Sequence, residues 1–415
     1  MRRQKIFKIK KEEGITLIAL VVTIIILIIL ATVSINTVFG EGGLIKRAEQ
    51  AKAIYENAEK NDKNDLEKLE ETIKVTNWDL SKVKKVTSED NTIVPVPIGY
   101  TVSTIEGEKS VSTGFVIKEG SDGSAVSGIN EYVWVPVQSI RDLYDEANDA
   151  GQLWDFRGTT STKKKYPTTP NTNYREPDIV TKSYDLNSDD YDAILSNLNQ
   201  AGLSDGATAE DLKKQLQSEF LQMKDSVKKY GGFYIGRYEA GDLSKAKAVV
   251  QKYNTDIGSQ TWYTMYKLCK TASANDNVVS SMIWGCQWDA TLRWMQTSND
   301  EKVKNFSTNS TNYGNYKDNL LKYKESENGE EKTQSQANTK IPTGGCEATK
   351  INNIYDMAGN MYEKTIEADR NCSRTVRGGY WSGDGVSTPA SCRSYGYPSV
   401  KYMNGGTRIT LYIGL

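Results

Sequence analysis

The residue types that carry most protein chemistry are thinly placed in this chain. Among its 415 residues there is no histidine, which removes every His-ligated metal site and every imidazole general base. The five cysteines (Cys269, Cys286, Cys346, Cys372, Cys392) are scattered without a C-x-x-C pair and allow at most two internal bridges, so no zinc or iron–sulfur spacing is present. Glycines crowd Gly231 to Gly241, but no helix start follows directly and no lysine sits in the loop. That stretch reads as a strand between turns rather than a phosphate cradle. What remains is recognition chemistry. Between Trp381 and Arg408 the chain is rich in Ser, Gly and Tyr, the composition of adaptable binding loops, in which Tyr gives rigid contact area and small residues let the loop fit. Arg393, Tyr395, Tyr397, Tyr402 and Asn404 are therefore the candidate ligand contacts, on what should be an irregular loop. Trp381 is expected as a core aromatic and Arg408 as a structural anchor. With no long apolar run here, a protein or glycan epitope suits the face better than a small apolar molecule.

The elements that must position these residues follow from periodicity. Short β-branched and aromatic runs predict strands at 92–96, 100–103, 113–118 and 131–137, the last ending at a proline. Thr208-Ala-Glu-Asp opens a helix over 209–228 in a variant of the capping box. Further helices are expected at 262–270 and 284–295, the second with Trp284, Trp288, Leu292 and Met295 on one face as core. Residues 138–207 and 297–340 are polar and read as surface insertions, with a short helix near 191–201 and a long exposed loop over 297–340. Residues 76–91 read as a linker.

The N-terminus is a different kind of sequence. Six basic residues precede Glu12-Glu13-Gly14, and the 26 residues from Ile15 to Gly40 carry no charge. At ~1.5 Å per residue that run can cross a ~30 Å hydrocarbon core as a helix, with the basic side cytoplasmic and the rest exported. After Glu41-Gly42-Gly43 an amphipathic pattern continues to about residue 75. Leader, glycine, apolar run and amphipathic continuation, in that order, resemble the type IV prepilin and pseudopilin signal. The resemblance implies a leader over 1–14, cleavage by a prepilin peptidase at Gly14–Ile15 with methylation of the new amine, and a pilin-like helix over 15–75 (15–40 membrane-spanning, 41–75 amphipathic). That helix would pack on other pilin subunits. The family usually carries Glu at the fifth mature position, where it neutralises a neighbour's amine; here it is Ala19. An unpaired amine between apolar helices is costly, so a minor or tip subunit is expected.

The C-terminal part carries a second resemblance. I-Y-D-M-A-G-N-M-Y-E from Ile354, T-V-R-G-G-Y-W-S at 375–382 and G-T-R near the end are similar to the formylglycine-generating-enzyme/sulfatase-modifying-factor family, a variant of the C-type-lectin fold. It implies an α+β fold: the long pilin-like helix followed by a lectin-like domain over 92–415 with short strands, two or three helices and long loops. It also implies a calcium site from Asp356 and Glu363 side chains with the Gly359 and Met361 carbonyls, oxygen ligands that suit a hard cation. Catalysis does not carry over. The oxidases' two copper-binding cysteines fall on about Gly385 and Ala390, and the iron-dependent relatives bind through histidines, so no copper or iron site is expected.

Removing residues 1–14 leaves 46 basic and 51 acidic residues, net −5. No basic excess points to nucleic acid. The expectation is a non-catalytic, surface-displayed pilin-like protein whose head binds an external ligand, as an adhesin or minor pilin. The alternatives are a membrane-tethered enzyme of the formylglycine-generating-oxidase type and a pseudopilin of a secretion machine.

Overall fold

In the computed structural model of the chain, the described residues are 20–28, 30, 46, 52, 77–120, 123, 128–143, 174–175, 198–241, 248–254, 258–297, 303, 308–334, 339–369 and 374–415. They belong to two units, Met1–Ile73 and Lys74–Leu415. In the first, residues 20–28 are helical and their apolar side chains are about half exposed. Gly14, Ile15, Ala19 and most of the expected 15–75 helix lie outside the described residues. No described helix is long and apolar enough to cross a membrane.

The second unit mixes helices with largely antiparallel sheets. Its strands are β1 (Val83–Thr87), β2 (Ile93–Pro97), β3 (Tyr100–Val102), β4 (Val116–Glu119), β5 (Glu131–Pro136), β6 (Tyr174–Arg175), β7 (Gly232–Gly236) and β8 (Val278–Met282). They continue with β9 (Lys322–Tyr323), β10 (Lys332–Thr333), β11 (Tyr362–Asp369), β12 (Arg374–Arg377), β13 (Arg393–Gly396), β14 (Gly405–Thr407) and β15 (Ile409–Ile413). The helices are α1 (Ile140–Leu143), α2 (Ala209–Tyr230), α3 (Trp262–Lys270) and α4 (Gly285–Gln296). Six strands form one sheet in the order β3-β4-β5-β7-β15-β8; a second runs β13-β12-β11-β14, with β6 also on β11.

The central pair shows why these residues make a sheet. β5 and β7 place Trp134 opposite Tyr234, ring centroids 4.9 Å apart, a cross-strand aromatic contact of the kind that fixes register. Gly232 is required there, because a Cβ would lie 2.3 Å from the Val135 carbonyl and 2.6 Å from the Trp134 ring. On the buried side Trp262, Trp284 and Trp288 fill the core. Helix α2 starts where the capping box predicts: Thr208 Oγ1 accepts from Asp211 N–H at 3.3 Å and Asp211 Oδ2 accepts from Thr208 N–H at 2.8 Å. It stops at Gly231, in the left-handed region at φ 82°, where glycine is unstrained.

Two expectations are corrected. Residues 76–91 are not a linker from Asn77 onward: Trp78 and Val83 are buried, and β1 pairs along its length with β2. Lys84, Lys85 and Thr87 are exposed and interrupt the two valines, and this polar content concealed the strand. Residues 297–340 are not one long exposed loop either. Ser310, Asn315 and Tyr316 are fully buried and Gln334 nearly so. The amides make a buried chain: Gln334 Nε2 donates to Asn315 Oδ1 at 2.9 Å, Asn315 Nδ2 to Asn360 Oδ1 at 3.0 Å, and Asn360 Nδ2 to Glu239 Oε2 at 2.6 Å. Polar composition marks a surface loop only when its groups face water; here they satisfy one another.

Candidate ligand-binding face

The candidate ligand stretch divides in two. Arg393–Gly396 is strand β13, in register with β12, the backbone of Tyr395 pairing with that of Thr375. It is not irregular loop. Arg393 is buried, its Nε 2.7 Å from Glu367 Oε1 and its Nη2 against Asp289. Asp289 also holds Arg377, whose Nη1 lies 3.6 Å from Glu367 Oε2. Burial and the neighbouring Arg393 pull the Arg377 pKa down, while the two carboxylates push that of Arg393 up. Arg393 is therefore corrected from ligand contact to member of a buried four-charge cluster. An isolated arginine in a Tyr/Ser stretch carries no signal that its counter-charges come from β11 and α4.

The rest of the stretch forms a surface loop. Tyr397 is exposed, and Tyr402 and Asn404 are half-buried. Val400 at 40% and Met403 at 77% exposure lie between them; single apolar residues among Pro, Ser and Lys gave no pattern to find. The backbone is fixed at many points. Tyr397 N–H donates to Tyr402 Oη at 3.1 Å. Trp262 N–H donates to the Pro398 carbonyl at 2.8 Å, Ser259 N–H to the Tyr402 carbonyl at 3.1 Å, and Tyr362 N–H to the Asn404 carbonyl at 2.8 Å. Next to Asn404, Tyr362 and Tyr380 pack with ring centroids 4.4 Å apart. Trp381 is half-buried rather than a core aromatic. Arg408 is the anchor expected, fully buried and paired with Glu363 at 2.6 Å.

Lys364 of β11 ties the loop down from below. It is 1% exposed, and its Nζ donates to the carbonyls of Gln260 at 3.2 Å and Val400 at 3.0 Å, 5.2 Å from the centre of the Tyr402 ring. Burial lowers its pKa from 10.5 to about 8. Because the unfolded chain holds this proton more tightly, the head gains stability from Lys364 as pH rises from about 8 toward 10.5. Denaturant unfolding of wild type and Lys364→Met isolates this gain from tyrosine and cysteine titration. The wild type is expected to gain on the variant by up to ~1.4 kcal/mol per pH unit in that window. A difference that stays flat with pH contradicts the burial of a charged amine.

The side chains expected as calcium ligands are engaged by donors of the protein itself. Asp356 is fully buried at φ 58°. Its Oδ2 accepts from Thr343 Oγ1 and Gly344 N–H, each at 2.9 Å, and its Oδ1 from Thr349 Oγ1 at 2.7 Å. Both oxygens of Glu363 accept from Arg408. Met361 offers its N–H to Glu239 at 3.1 Å, and Gly359 packs so closely that a Cβ would lie 2.4 Å from the Asn315 carbonyl. Calcium at Asp356 and Glu363 would have to displace a buried arginine and three donors. Among the described residues no group of three or more His, Cys, Asp or Glu is placed to hold a metal. Asp356 instead pins the turn at 343–349.

Gly385 and Ala390, where the resemblance would put the oxidase cysteines, are both closely packed. A Cβ at Gly385 would lie 2.2 Å from Thr311 N, and buried Ala390 accepts the Trp288 indole N–H at 2.9 Å. Among the described residues Cys269, Cys286, Cys346 and Cys392 are buried and unbridged, and burial pushes the Cys346 thiol up to about 11, away from thiolate reactivity.

No family profile matches the chain, and no curated protein matches it. Among solved structures it is similar to Treponema denticola variable protein 1, at 15% identity, covering 76% of this chain and 99% of that one, with a TM-score of 0.25. At that TM-score the likeness supports neither a shared fold nor a function.

Proposed function

We propose that this is a non-catalytic, surface-displayed protein: a pilin-like stem carrying a lectin-type head that binds an external protein or glycan through the 397–404 loop. The observation that carries the reading is the loop itself. It presents Tyr397, Val400 and Met403 to solvent on a backbone held by the 259–262 segment, Tyr362 and Lys364. Exposed apolar groups on a rigid, pre-ordered loop lose little entropy on binding and are the common form of a recognition site.

On this reading the N-terminal run serves the prepilin peptidase, the membrane and neighbouring pilin subunits, and Ala19 fits a minor or tip position. Tyr397→Ala combined with Met403→Ala is expected to abolish attachment of displaying cells to their target surface. Thermal stability should stay within the ~0.5 kcal/mol typical of surface changes. Attachment retained at wild-type strength would exclude the loop.

A further inference from the structure

A second candidate site lies in the insertion that composition reads as mere surface. The β9–β10 hairpin, the 342–348 turn and the 252–253 corner enclose a cleft of about 480 Å³, within the ~300–1,000 Å³ range of small-ligand sites. It has its own support: Leu321, Ile341 and Cys346 make a small separate core with Tyr323 packed on it. The walls are joined by Lys324 N–H to the Gly345 carbonyl at 2.9 Å and Tyr253 N–H to the Thr343 carbonyl at 2.8 Å, and Asp356 holds Gly344 N–H from behind at 2.9 Å.

Tyr253 lines this cleft at φ +63°. A bulky residue in the left-handed region is uncommon, and such strain persists where surrounding structure imposes it, often at ligand sites. Here the corner is held to the 343 turn, and Lys252 Nζ stands 5.0 Å from the Tyr253 ring centre. The lining is electrically balanced. Lys252 pairs with Glu347 at 3.5 Å and Lys322 with Glu331 at 3.4 Å, while Lys324 and Glu327 add one charge of each sign. No net field selects an ion. Tyrosine and leucine surface beside both ammonium donors and carboxylate acceptors suits a neutral ligand with an apolar face and many hydroxyls, because each hydroxyl can donate and accept.

We propose that this cleft is a binding site for an uncharged saccharide of one or two rings, separate from the 397–404 loop, with which it shares no residue. The test uses the full chain in a detergent without sugar headgroups and follows saturation-transfer NMR with maltose, lactose, cellobiose and diacetylchitobiose. At least one is expected to bind at millimolar concentration or below. Tyr253→Gly, which removes the ring and relieves the strained φ, should weaken that binding at least tenfold without lowering the melting temperature, and Tyr323→Ala should weaken it too. Tyr397→Ala should leave it unchanged, so the result stands or falls apart from the loop's role. Absence of binding by all four disaccharides overturns the proposal. So does binding that survives both cleft substitutions.

Discussion

Replacing Asp289 with alanine is expected to cost the head about 3–5 kcal/mol, the penalty for leaving a buried charge without its partner. Asp289 is 1% exposed and receives Arg377 on one carboxylate oxygen and Arg393 on the other. Without it, two fully buried guanidiniums share the single carboxylate of Glu367. All four groups are buried, so the loss exceeds the ~0–1 kcal/mol of a surface ion pair. Asp289→Asn keeps the shape and removes the charge, and should recover only part of the loss. Denaturant unfolding of the two variants measures this. A cost below ~1 kcal/mol for Asp289→Ala would show that the cluster is hydrated and that Arg393 is freer than its geometry implies.

The second large effect concerns the stem. Gly14→Val is expected to leave the chain unprocessed. A peptidase must bring its own backbone close to the scissile bond, and glycine is the residue that permits such an approach. Immunoblotting of membranes should show only the full-length species. Normal cleavage of this variant would remove the main reason for reading the stem as a pilin.

The sequence made parts of this architecture legible for identifiable reasons. Strands β2, β3 and β5 stand out for their β-branched and aromatic residues between turn residues, and α2 because its cap, Thr208, accepts the backbone N–H group expected of it. β1 was hidden because three of its five residues, Lys84, Lys85 and Thr87, are polar and exposed, which imitates a linker. The amide chain through Asn315 and Gln334 was hidden for a related reason: a residue's type does not reveal whether its hydrogen bonds go to water or to Asn360 and Glu239. Of the residues that composition singled out as ligand contacts, Tyr397, Tyr402 and Asn404 lie on the surface loop, whereas Arg393 is buried. Its role is set by Asp289 and Glu367, distant in sequence, and long-range pairing of that kind leaves no local mark. Asp356 and Glu363 were read as calcium ligands; their hydrogen-bond partners in the fold are Thr343, Gly344, Thr349 and Arg408, which lie outside the local motif.

The most direct test of surface display on a pilin stem is mass spectrometry of the N-terminus of the protein isolated from its native membrane. The account predicts loss of residues 1–14 and an N-methylated Ile15. An intact Met1, or cleavage near Ala31 on the far side of the apolar run, would contradict it.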